Sequence, residues 1–463
     1  MGGLFGAFSQ TSAAVHINQE RDSTLEDVYL GLFALQHRGQ QSAGIAWTHE
    51  GSDRIQSLKT VGLLGGIDIL QLDGINSNSA IGQVRVSGKG GFVLQNTQPL
   101  TIKYSRGHLA VAHDGNLSNT EELTEKLEKD GAIFQSECDT ELLLHLMAHK
   151  PDKSPLDALL CSLPSLKGGF SMLLLLEGKL VALRDPLGFR PLVLGRRENM
   201  VYAASETCAL DIIGAKIIRE VEPGEAVVIS ENNMESIRFA PKLEDLSVCS
   251  FEYVYIARPD SVMEGKYVYA VRKELGRILA RMDSVRGVNA NLVSGMPDSG
   301  TIAALGYAEA SGLPYDIAVS INRYVGRTFI RPTQRIRELG VRLKLNPSVQ
   351  LMSGKNVVIV DDSIVRGVTL KKAMQTIRLS GPKEIHMRIA SPPVRFPCRY
   401  SLDTSSADML IASRMNIEAL CLHLGADSLK HVKEQDLINA IGLPSNKMCT
   451  ACFSGKYPIN DNA

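Results

Sequence analysis

The chain alternates short apolar runs with polar stretches, and the runs in its second half are the most regular. Residues 357–360 form an unbroken β-branched run, which predicts a strand buried on both faces of a parallel sheet. Apolar residues then recur at helical spacing, at Leu370, Ala373, Met374 and Ile377. Gly381 and Pro382 end the predicted helix, because neither residue continues a helix readily.

The rest of the second half repeats this order of strand and helix. We predict a strand at 291–293, a helix from Thr301 to Ser311 that ends at Gly312, and a further strand at 316–321. Strands that alternate with helices predict a parallel sheet with helices on its faces.

The first half is less regular. Residues 173–176 and 226–229 are apolar runs that predict buried strands, and residues 136–146 predict a helix with an acidic first turn. A polar stretch from Ser230 to Asp245 then separates the two halves. We therefore predict two domains, 1–240 and 241–463.

The loop after the strand at 357–360 has the composition of a phosphate site. Asp361 and Asp362 are followed by small and hydroxyl residues up to Thr369. The loop joins the carboxyl end of a strand to the amino end of a helix, where free N–H groups and the helix dipole bind anions. Gly367 lets the backbone approach a phosphate, and the two acids can accept hydrogen bonds from ribose hydroxyls or help to hold Mg²⁺. The predicted ligand is a phosphorylated sugar.

Two further segments fit a polyanionic ligand. Residues 294–300 contain two glycines and a proline, which allow a tight turn whose N–H groups converge on a pyrophosphate; Ser299 could reach a metal there. Residues 322–337 are dense in arginine. This second segment is either a solvated basic loop or a lid that closes over the substrate, and the neutral charge of the whole chain favours the lid.

Composition narrows the class of protein. Lys+Arg and Asp+Glu each count 50, so no net field favours nucleic acid or an anionic membrane. No apolar stretch approaches the ~20 residues that span a bilayer. The first residues lack a basic region and a cleavage site. We expect a cytoplasmic protein.

The eight cysteines of this long chain do not resemble a disulfide scaffold. Cys449 and Cys452 form a C-x₂-C pair, and Cys249 and Cys398 bring the set to four. The spacing alone leaves three readings open: a zinc site, a [4Fe–4S] cluster, or no metal.

Longer strings of the chain resemble one family. The string at 357–367 resembles the phosphoribosyl pyrophosphate (PRPP) loop of type I phosphoribosyltransferases. The strings at 249–261, 322–329 and 451–458 look like those of glutamine PRPP amidotransferases, and the strings at 35–45 and 204–209 resemble the glutaminase domain of that family. The likeness covers essentially the whole chain in the family's domain order.

The resemblance implies an α/β protein with two catalytic units. An N-terminal Ntn-hydrolase αββα sandwich would release ammonia from glutamine. A C-terminal type I phosphoribosyltransferase domain, built on a parallel sheet, would add that ammonia to PRPP and form phosphoribosylamine for purine synthesis. The resemblance also implies a homo-oligomer, a tetramer by family, with purine nucleotides as feedback ligands.

Site residues carry over from the matched motifs. The residues implied to bind PRPP are Asp361, Asp362, Ser363, Ile364, Val365, Arg366, Gly367, Val368, Thr369, Arg327 and Lys344. Residues 324–337 would form the closing loop. Mg²⁺ would be bound by Ser299, Asp361 and Asp362. The flanks of the four cysteines resemble those of cluster-bearing members, so the resemblance favours [4Fe–4S] over structural Zn²⁺ at Cys249, Cys398, Cys449 and Cys452.

The chain departs from the family pattern at the glutaminase site. Gly2 stands where the family has its N-terminal nucleophilic cysteine, so no thioester can form there. Asp114 replaces the asparagine of the oxyanion hole, and a carboxylate offers no donor to a developing oxyanion. The groups that remain of a glutamine pocket are Arg85, Gly115 and Asp139.

The sequence therefore predicts an amidophosphoribosyltransferase-type enzyme that uses PRPP and ammonia and has lost its glutaminase half-reaction. The alternative is a pseudoenzyme that binds PRPP and acts as a regulator or partner subunit. Cys138, next to Asp139, is a conceivable substitute nucleophile. It lacks an N-terminal amine as base, so we expect a small core residue.

Overall fold

The computed structural model describes residues 2–10, 24–49, 54–86, 91, 93–284, 287–322, 345–401 and 406–459. Arg327, Lys344 and the predicted closing loop at 324–337 lie outside these ranges. Among the residues that are described, no helix is both long enough and apolar enough to cross a bilayer.

The first half of the chain contains thirteen described strands and five described α-helices. In chain order they are β1 (Gly2–Ser9), α1 (Thr24–Ala34), β2 (Ser42–Thr48), β3 (Ile55–Val61), β4 (Ser79–Arg85), β5 (Leu100–Tyr104), β6 (Gly107–Leu117), α2 (Thr120–Lys129), α3 (Thr140–Ala148), α4 (Pro155–Ser162), β7 (Gly168–Leu176), β8 (Lys179–Arg184), β9 (Val193–Arg197), β10 (Met200–Ala204), α5 (Thr207–Ile212), β11 (Lys216–Glu220), β12 (Glu225–Ile229) and β13 (Met234–Arg238).

These elements form a four-layer sandwich. One sheet has the order β11-β9-β10-β1-β4-β2-β3 and the other has the order β13-β12-β8-β7-β6-β5. Apolar side chains of both sheets, such as Leu4 and Leu173, share one core between them. Helices α1 and α5 cover the outer face of the first sheet, and α2, α3 and α4 cover that of the second. The predicted αββα sandwich is confirmed.

The predicted helix at 136–146 begins four residues later than expected, at Thr140. The carboxylate of Glu141 accepts hydrogen bonds from the backbone N–H groups of Gln135 and Ser136, at 2.8 and 2.7 Å. The Ser136 hydroxyl donates to the same carboxylate at 2.6 Å. These bonds hold residues 135–139 in a turn before the helix. Glu141 therefore lies in the first turn of α3, whereas the prediction placed it in the second turn of the helix.

The second half is smaller and mixed. Its elements are β14 (Val248–Cys249), a π-helical turn (Glu252–Ile256), β15 (Val262–Met263), β16 (Lys266–Tyr267), α6 (Val268–Ser284), β17 (Leu292–Gly295), α7 (Thr301–Ser311), β18 (Val319–Ile321), β19 (Leu345–Pro347), α8 (Val349–Met352), β20 (Asn356–Asp361), α9 (Val368–Leu379), β21 (Glu384–Ile389), α10 (Ile411–Arg414), α11 (Ile417–Leu424), β22 (Ser428–His431), α12 (Glu434–Ile441), β23 (Met448–Cys449) and α13 (Ala451–Ser454).

The centre of this half is a parallel sheet with the order β17-β20-β21-β22. Strand β20 is buried along 357–360, and helix α9 buries the four residues predicted at helical spacing, Leu370, Ala373, Met374 and Ile377. Helix α7 has the predicted bounds and ends at Gly312, whose φ of +72° suits a left-handed helix cap. The alternating pattern was therefore read correctly here.

The predicted strand at 316–321 is wrong in its extent and its partner. Only Val319–Ile321 is a strand, and it pairs antiparallel with β19 outside the parallel sheet. The chain touches β17 at Tyr315 through an isolated bridge. The Ser294 hydroxyl then accepts from the N–H of Ala318 at 3.0 Å, so a side chain replaces the next backbone partner and the ladder stops. The predicted boundary at 240 falls between β13 and β14 and stays a prediction.

Candidate functional site

The two loops predicted to hold phosphates lie side by side. Strands β17 and β20 are paired in parallel, so their carboxyl ends meet at one edge of the sheet. The N–H of Met296, at the start of the first loop, donates to the Val360 carbonyl oxygen at 2.8 Å. Open α/β sheets bind ligands at such edges.

Gly300 allows this close approach. A Cβ atom at residue 300 would lie 2.2 Å from the Val360 carbonyl oxygen and 2.9 Å from Cα of Asp361. Such contacts with backbone atoms cannot be relieved by turning a side chain. The glycine that the sequence placed in a phosphate turn therefore lets one loop pack against the other.

Asp361 and Asp362 stand together at the end of β20. Oδ1 of Asp361 accepts from the Asp362 N–H at 2.9 Å and from the Ser299 hydroxyl at 3.4 Å, and the Ser363 hydroxyl donates to Asp362. Burial raises the pKa of both carboxyls, and repulsion from Asp362 raises that of Asp361 further, well above its usual value. Hydroxyl donors or a divalent cation would stabilise the charged form of both carboxyls.

The rest of the loop wraps the amino end of α9. Gly367 has a φ of +72°, and a Cβ there would meet Cδ1 of Ile411 at 2.7 Å. Ile364 is buried and anchors the loop, whereas Arg366, Val368 and Thr369 are exposed. The N-terminal amides of a twelve-residue helix thus open toward solvent at the same edge as the two acids, which is the arrangement that binds a phosphate.

Residue 2, where the resemblance implies the nucleophile, offers no room for a side chain. Gly2 lies in β1, where its N–H donates to Oδ1 of Asp114 at 2.6 Å and its carbonyl oxygen accepts from Nε of Arg38 at 2.8 Å. A Cβ at this residue would lie 2.8 Å from the Val84 carbonyl oxygen and 3.1 Å from Nε2 of Gln83. Backbone would have to move before any thiol could be placed here.

Asp114 is fully buried and saturated with donors. Besides Gly2, it accepts from Nη2 of Arg38 at 3.1 Å and from Nε and Nη2 of Arg190 at 3.1 and 2.9 Å. Burial opposes its charge, but the two guanidinium groups outweigh that effect and lower its pKa to about 2. Asp114, at the position where the resemblance implies an oxyanion hole, is therefore charged at neutral pH and would repel a second anion.

These residues belong to a larger group, which we call the ion cluster: Arg38, Asp114, Arg190, Glu206 and Glu252. Arg38 reaches Glu206 at 2.6 Å and grips both oxygens of Glu252, at 2.7 and 3.0 Å. Arg190 lies 2.8 Å from Glu252. Each of the five side chains is at most 1% exposed. Glu252 comes from the second half, so the cluster joins the two halves next to Gly2.

Two of the residues predicted to remain from a glutamine pocket, Arg85 and Asp139, bond to neighbouring backbone groups. Arg85 is 8% exposed and donates to the Asn96 carbonyl oxygen. Oδ2 of Asp139 accepts from the Leu117 N–H at 3.0 Å, and its Oδ1 lies 3.4 Å from Nδ1 of His113. Despite burial, the charge of His113 lowers the pKa of Asp139, and Arg85 contributes to the same effect. The structure therefore keeps the pocket's charges close together.

Gly115, the third residual-pocket residue, has a φ of +140°, and a Cβ there would lie 1.9 Å from the Gly169 carbonyl oxygen. Cys138 is 3% exposed and belongs to the core of the outer helical layer. Burial raises its pKa, so the group is a neutral thiol and not an activated nucleophile.

The four cysteines of the predicted metal site are neighbours. Cys249 and Cys449 are directly paired where β14 and β23 run in parallel. Burial, followed by repulsion from Cys398, Cys249 and Cys449, raises the pKa of Cys452 well above its usual value. Among the described residues, no three His, Cys, Asp or Glu side chains are close enough to hold one metal ion as they stand.

Sequence reasoning missed the ion cluster as a unit. Asp114 was singled out for what it replaces, but its partners come from four other places along the chain. Two of these charges lie inside strings that resemble the family, Arg38 in 35–45 and Glu252 in 249–261. The residues around each of them do not predict that the two side chains meet.

Comparison with known proteins places the chain in a family. A family profile described as a glutamine amidotransferase domain matches residues 92–211. The amidophosphoribosyltransferase of Bacillus subtilis is 43% identical, covering 93% of this chain and 90% of its own length. That of Methanocaldococcus jannaschii is 41% identical, covering 100% of this chain and 98% of its own length.

Solved structures agree over the same length. The Bacillus subtilis glutamine PRPP amidotransferase, complexed with ADP and GMP, is 41% identical, with a TM-score of 0.89 over 98% of this chain and 97% of that one. A second structure, described as the allosteric regulatory enzyme of purine biosynthesis, has a TM-score of 0.90 at 41% identity, covering 98% of this chain and 96% of that one.

The fold is thus that of a glutamine amidotransferase domain joined to a phosphoribosyltransferase domain, as the sequence predicted. The chain belongs to the amidophosphoribosyltransferase family.

Proposed function

We propose that this protein forms 5-phosphoribosylamine from PRPP and free ammonia in purine biosynthesis, and that its first domain no longer releases ammonia from glutamine. One contrast carries the proposal. The sheet edge with Ser299, Asp361 and Asp362 is assembled, whereas position 2 has neither a nucleophile nor room for one. A buried anion, Asp114, lies next to it.

The transfer of ammonia to PRPP depends mainly on positioning of the reactants and on electrostatic stabilisation. A bond forms between ammonia and C1 of the ribose while the bond from C1 to the pyrophosphate oxygen breaks. Asp361 and Asp362 would accept hydrogen bonds from the ribose hydroxyls. The amides of 363–369, at the amino end of α9, would hold the 5-phosphate, and the turn at 296–300 would receive the pyrophosphate. Arg327 and Lys344 are proposed to complete the site.

The donor set at this edge fits Mg²⁺. The adjacent carboxyls of Asp361 and Asp362 have raised pKa values, and with the Ser299 hydroxyl they offer hard oxygen ligands. A divalent cation would stabilise the two carboxyls in their charged form. When bound, the ion would neutralise negative charge on the leaving pyrophosphate.

The four thiols, Cys249, Cys398, Cys449 and Cys452, are proposed ligands of a structural [4Fe–4S] cluster. Four cysteine thiolates are the usual set for such a cluster. The thiol of Cys452 lies close enough to those of Cys398, Cys249 and Cys449 for their charges to raise its pKa. Structural Zn²⁺ is the alternative. Either group would tie β23 and α13 to β14.

The experiment compares nitrogen donors on one purified sample. We expect pyrophosphate release from PRPP and Mg²⁺ with ammonium chloride, and no glutamate release from glutamine. The Gly300→Ala variant should lose the PRPP-dependent turnover, because its Cβ would lie 2.2 Å from a backbone oxygen. Gly65→Ala is the matched control, since a Cβ at residue 65 meets nothing within 4 Å.

Two results would change the proposal. Tight PRPP binding without pyrophosphate release would support the alternative, a pseudoenzyme that acts as a regulator or partner subunit. Glutamate release at an ordinary enzymatic rate would refute the loss of glutaminase activity, and its disappearance in Cys138→Ser would identify a substitute nucleophile.

Assembly and feedback are part of the same proposal. The Bacillus subtilis relative was solved with ADP and GMP, and we propose purine nucleotides as feedback ligands of this protein too. A homo-oligomer, with four subunits as the family suggests, is proposed on the same basis. Light scattering tests the assembly, and PRPP turnover with and without each nucleotide tests the feedback.

A further inference from the structure

One buried carboxylate bonds the two domains together. Glu206 is 1% exposed and precedes α5 in the first domain. Its Oε1 accepts from Nη1 of Arg38 at 2.6 Å and lies 2.7 Å from Nε2 of His37. Its Oε2 accepts from the Arg258 N–H at 2.8 Å and from the Ser261 hydroxyl at 2.7 Å. One oxygen thus faces the first domain and the other faces the second.

The segment that Glu206 holds, residues 252–261, is gripped at several places by the first domain. Near its start, the carboxylate of Glu252 is bound by Arg38 and Arg190 of the ion cluster. Just beyond its end, the N–H of Val262 donates to Oγ1 of Thr207 at 2.9 Å. The former amidase site therefore sets where this segment lies.

The same segment supports the phosphate edge through Arg272. This residue of α6 is 6% exposed, and it donates from Nε to the Tyr253 carbonyl oxygen at 2.9 Å and from Nη2 to that of Ala257 at 2.7 Å. Ala257 of the segment also lies in one apolar core cluster with Val360 of β20, the strand that ends at the two acids. A path of direct contacts thus runs from the first domain to Arg272, and the shared apolar core extends it to the strand that carries the phosphate edge.

We propose that Glu206 is a positioning residue for the phosphoribosyl site, which it aligns through residues 252–261 and Arg272. In this chain the first domain then keeps a role without amide cleavage: its buried charges place a segment of the neighbouring domain. The inference rests on the proposed function, since it assumes that the aligned site binds PRPP.

The change Glu206→Gln tests this with almost no change in shape. An amide has one acceptor oxygen where the carboxylate has two, so its NH₂ group must face either Arg38 or the donors of Arg258 and Ser261. Either orientation removes the hydrogen bonds that residue 206 accepts from one of the two domains. We expect the KM for PRPP, with ammonia as donor, to rise about tenfold while kcat changes by less than about threefold; a displacement of about 1 Å can cost up to ~100-fold.

Asp27→Asn is the matched control. Asp27 is also a buried carboxylate of the first domain, 6% exposed, and it accepts from Nη2 of Arg197 and the Tyr202 hydroxyl at 2.9 and 2.7 Å. The chemical change is the same, but these two partners lie in the first domain. We expect its KM for PRPP to match that of the unmodified protein.

Two further measurements separate positioning from general loss of stability. The double variant Glu206→Gln/Arg272→Gln should raise KM by less than the product of the two single effects, because both act through one segment. Amide hydrogen exchange should quicken across 252–261 in Glu206→Gln and not in Asp27→Asn. Should Glu206→Gln fail to fold, Thr207→Val removes only the acceptor for Val262, and it should raise KM in the same direction.

The outcomes distinguish this inference from the proposed function. If the unmodified protein turns PRPP over and Glu206→Gln behaves like Asp27→Asn, the inference falls and the proposed function stands. If the unmodified protein binds PRPP without turnover, calorimetric affinity for PRPP replaces KM as the measure. If it neither binds nor consumes PRPP, both are refuted.

Discussion

Replacing Asp114 with Asn should weaken folding strongly, because two buried guanidinium groups depend on that carboxylate. Asp114 accepts hydrogen bonds from Arg38, Arg190 and the Gly2 N–H, and its side chain is fully buried. Asparagine keeps the shape but removes the charge and turns one oxygen into a donor. Arg38 and Arg190 would then have two carboxylates between them, Glu206 and Glu252, instead of three.

Two estimates bound the loss of unfolding free energy. The interactions of Asp114 lower its pKa from 3.8 to about 2, and each pKa unit corresponds to about 1.4 kcal/mol, which sums to about 2.5 kcal/mol. Breaking a buried ion pair by removing one partner typically costs 3–5 kcal/mol, because a charge is left uncompensated. We expect a loss between about 2.5 and about 5 kcal/mol of unfolding free energy. The value should lie in the upper part of this range, because the guanidinium charge left without a partner adds to the cost.

The assay is urea unfolding at pH 7, monitored by circular dichroism and repeated at lower pH. Asp427→Asn is the control, since that carboxylate is 40% exposed in its pair with Arg378, and such pairs contribute at most about 1 kcal/mol. The lowered pKa of Asp114 means that its contribution is present above about pH 4 and is lost as the pH falls toward about 2. A loss below about 1 kcal/mol at pH 7 would refute the cluster's role in stability.

Three further predictions concern other parts of the molecule. Gly2→Cys should release no measurable glutamate from glutamine, because the new Cβ would lie 2.8 Å from the Val84 carbonyl oxygen; glutaminase activity in that variant would contradict the crowding argument. Burial and then Glu264 raise the pKa of Glu220 from 4.5 to about 7. The folded state therefore keeps a proton that the unfolded chain releases, and stability falls as the pH rises from about 4.5 to about 7. Glu220→Gln should reduce the dependence of Tm on pH in this range, and an unchanged dependence would count against the raised pKa of Glu220. Cys449→Ser should lose iron and acid-labile sulfide together, as measured by metal analysis and visible absorption, whereas full iron content would exclude this ligand.

The phosphate edge was predictable because its signals are local. The apolar run at 357–360, the acids after it and the helical spacing of α9 lie within about two dozen residues, so strand, loop and helix follow from periodicity and loop chemistry. The helix α7, with Gly312 at its end, was predictable for the same reason.

Errors arose where a side chain captured a backbone group. Ser294 takes the Ala318 N–H and ends the ladder that the apolar pattern extends. Glu141 collects the N–H groups of Gln135 and Ser136 and delays the start of α3. Such capture depends on geometry that a hydrophobic pattern does not contain.

The sequence by itself determined the family, the two folds and the absence of a thiol at residue 2. Only the tertiary structure decided which groups surround residue 2. Residues 38, 114, 190, 206 and 252 meet there as buried charges, and the cost of burying a charge depends on which distant groups surround it. The spacing of these residues along the chain does not predict that they meet, because the packing of one domain against the other brings them together.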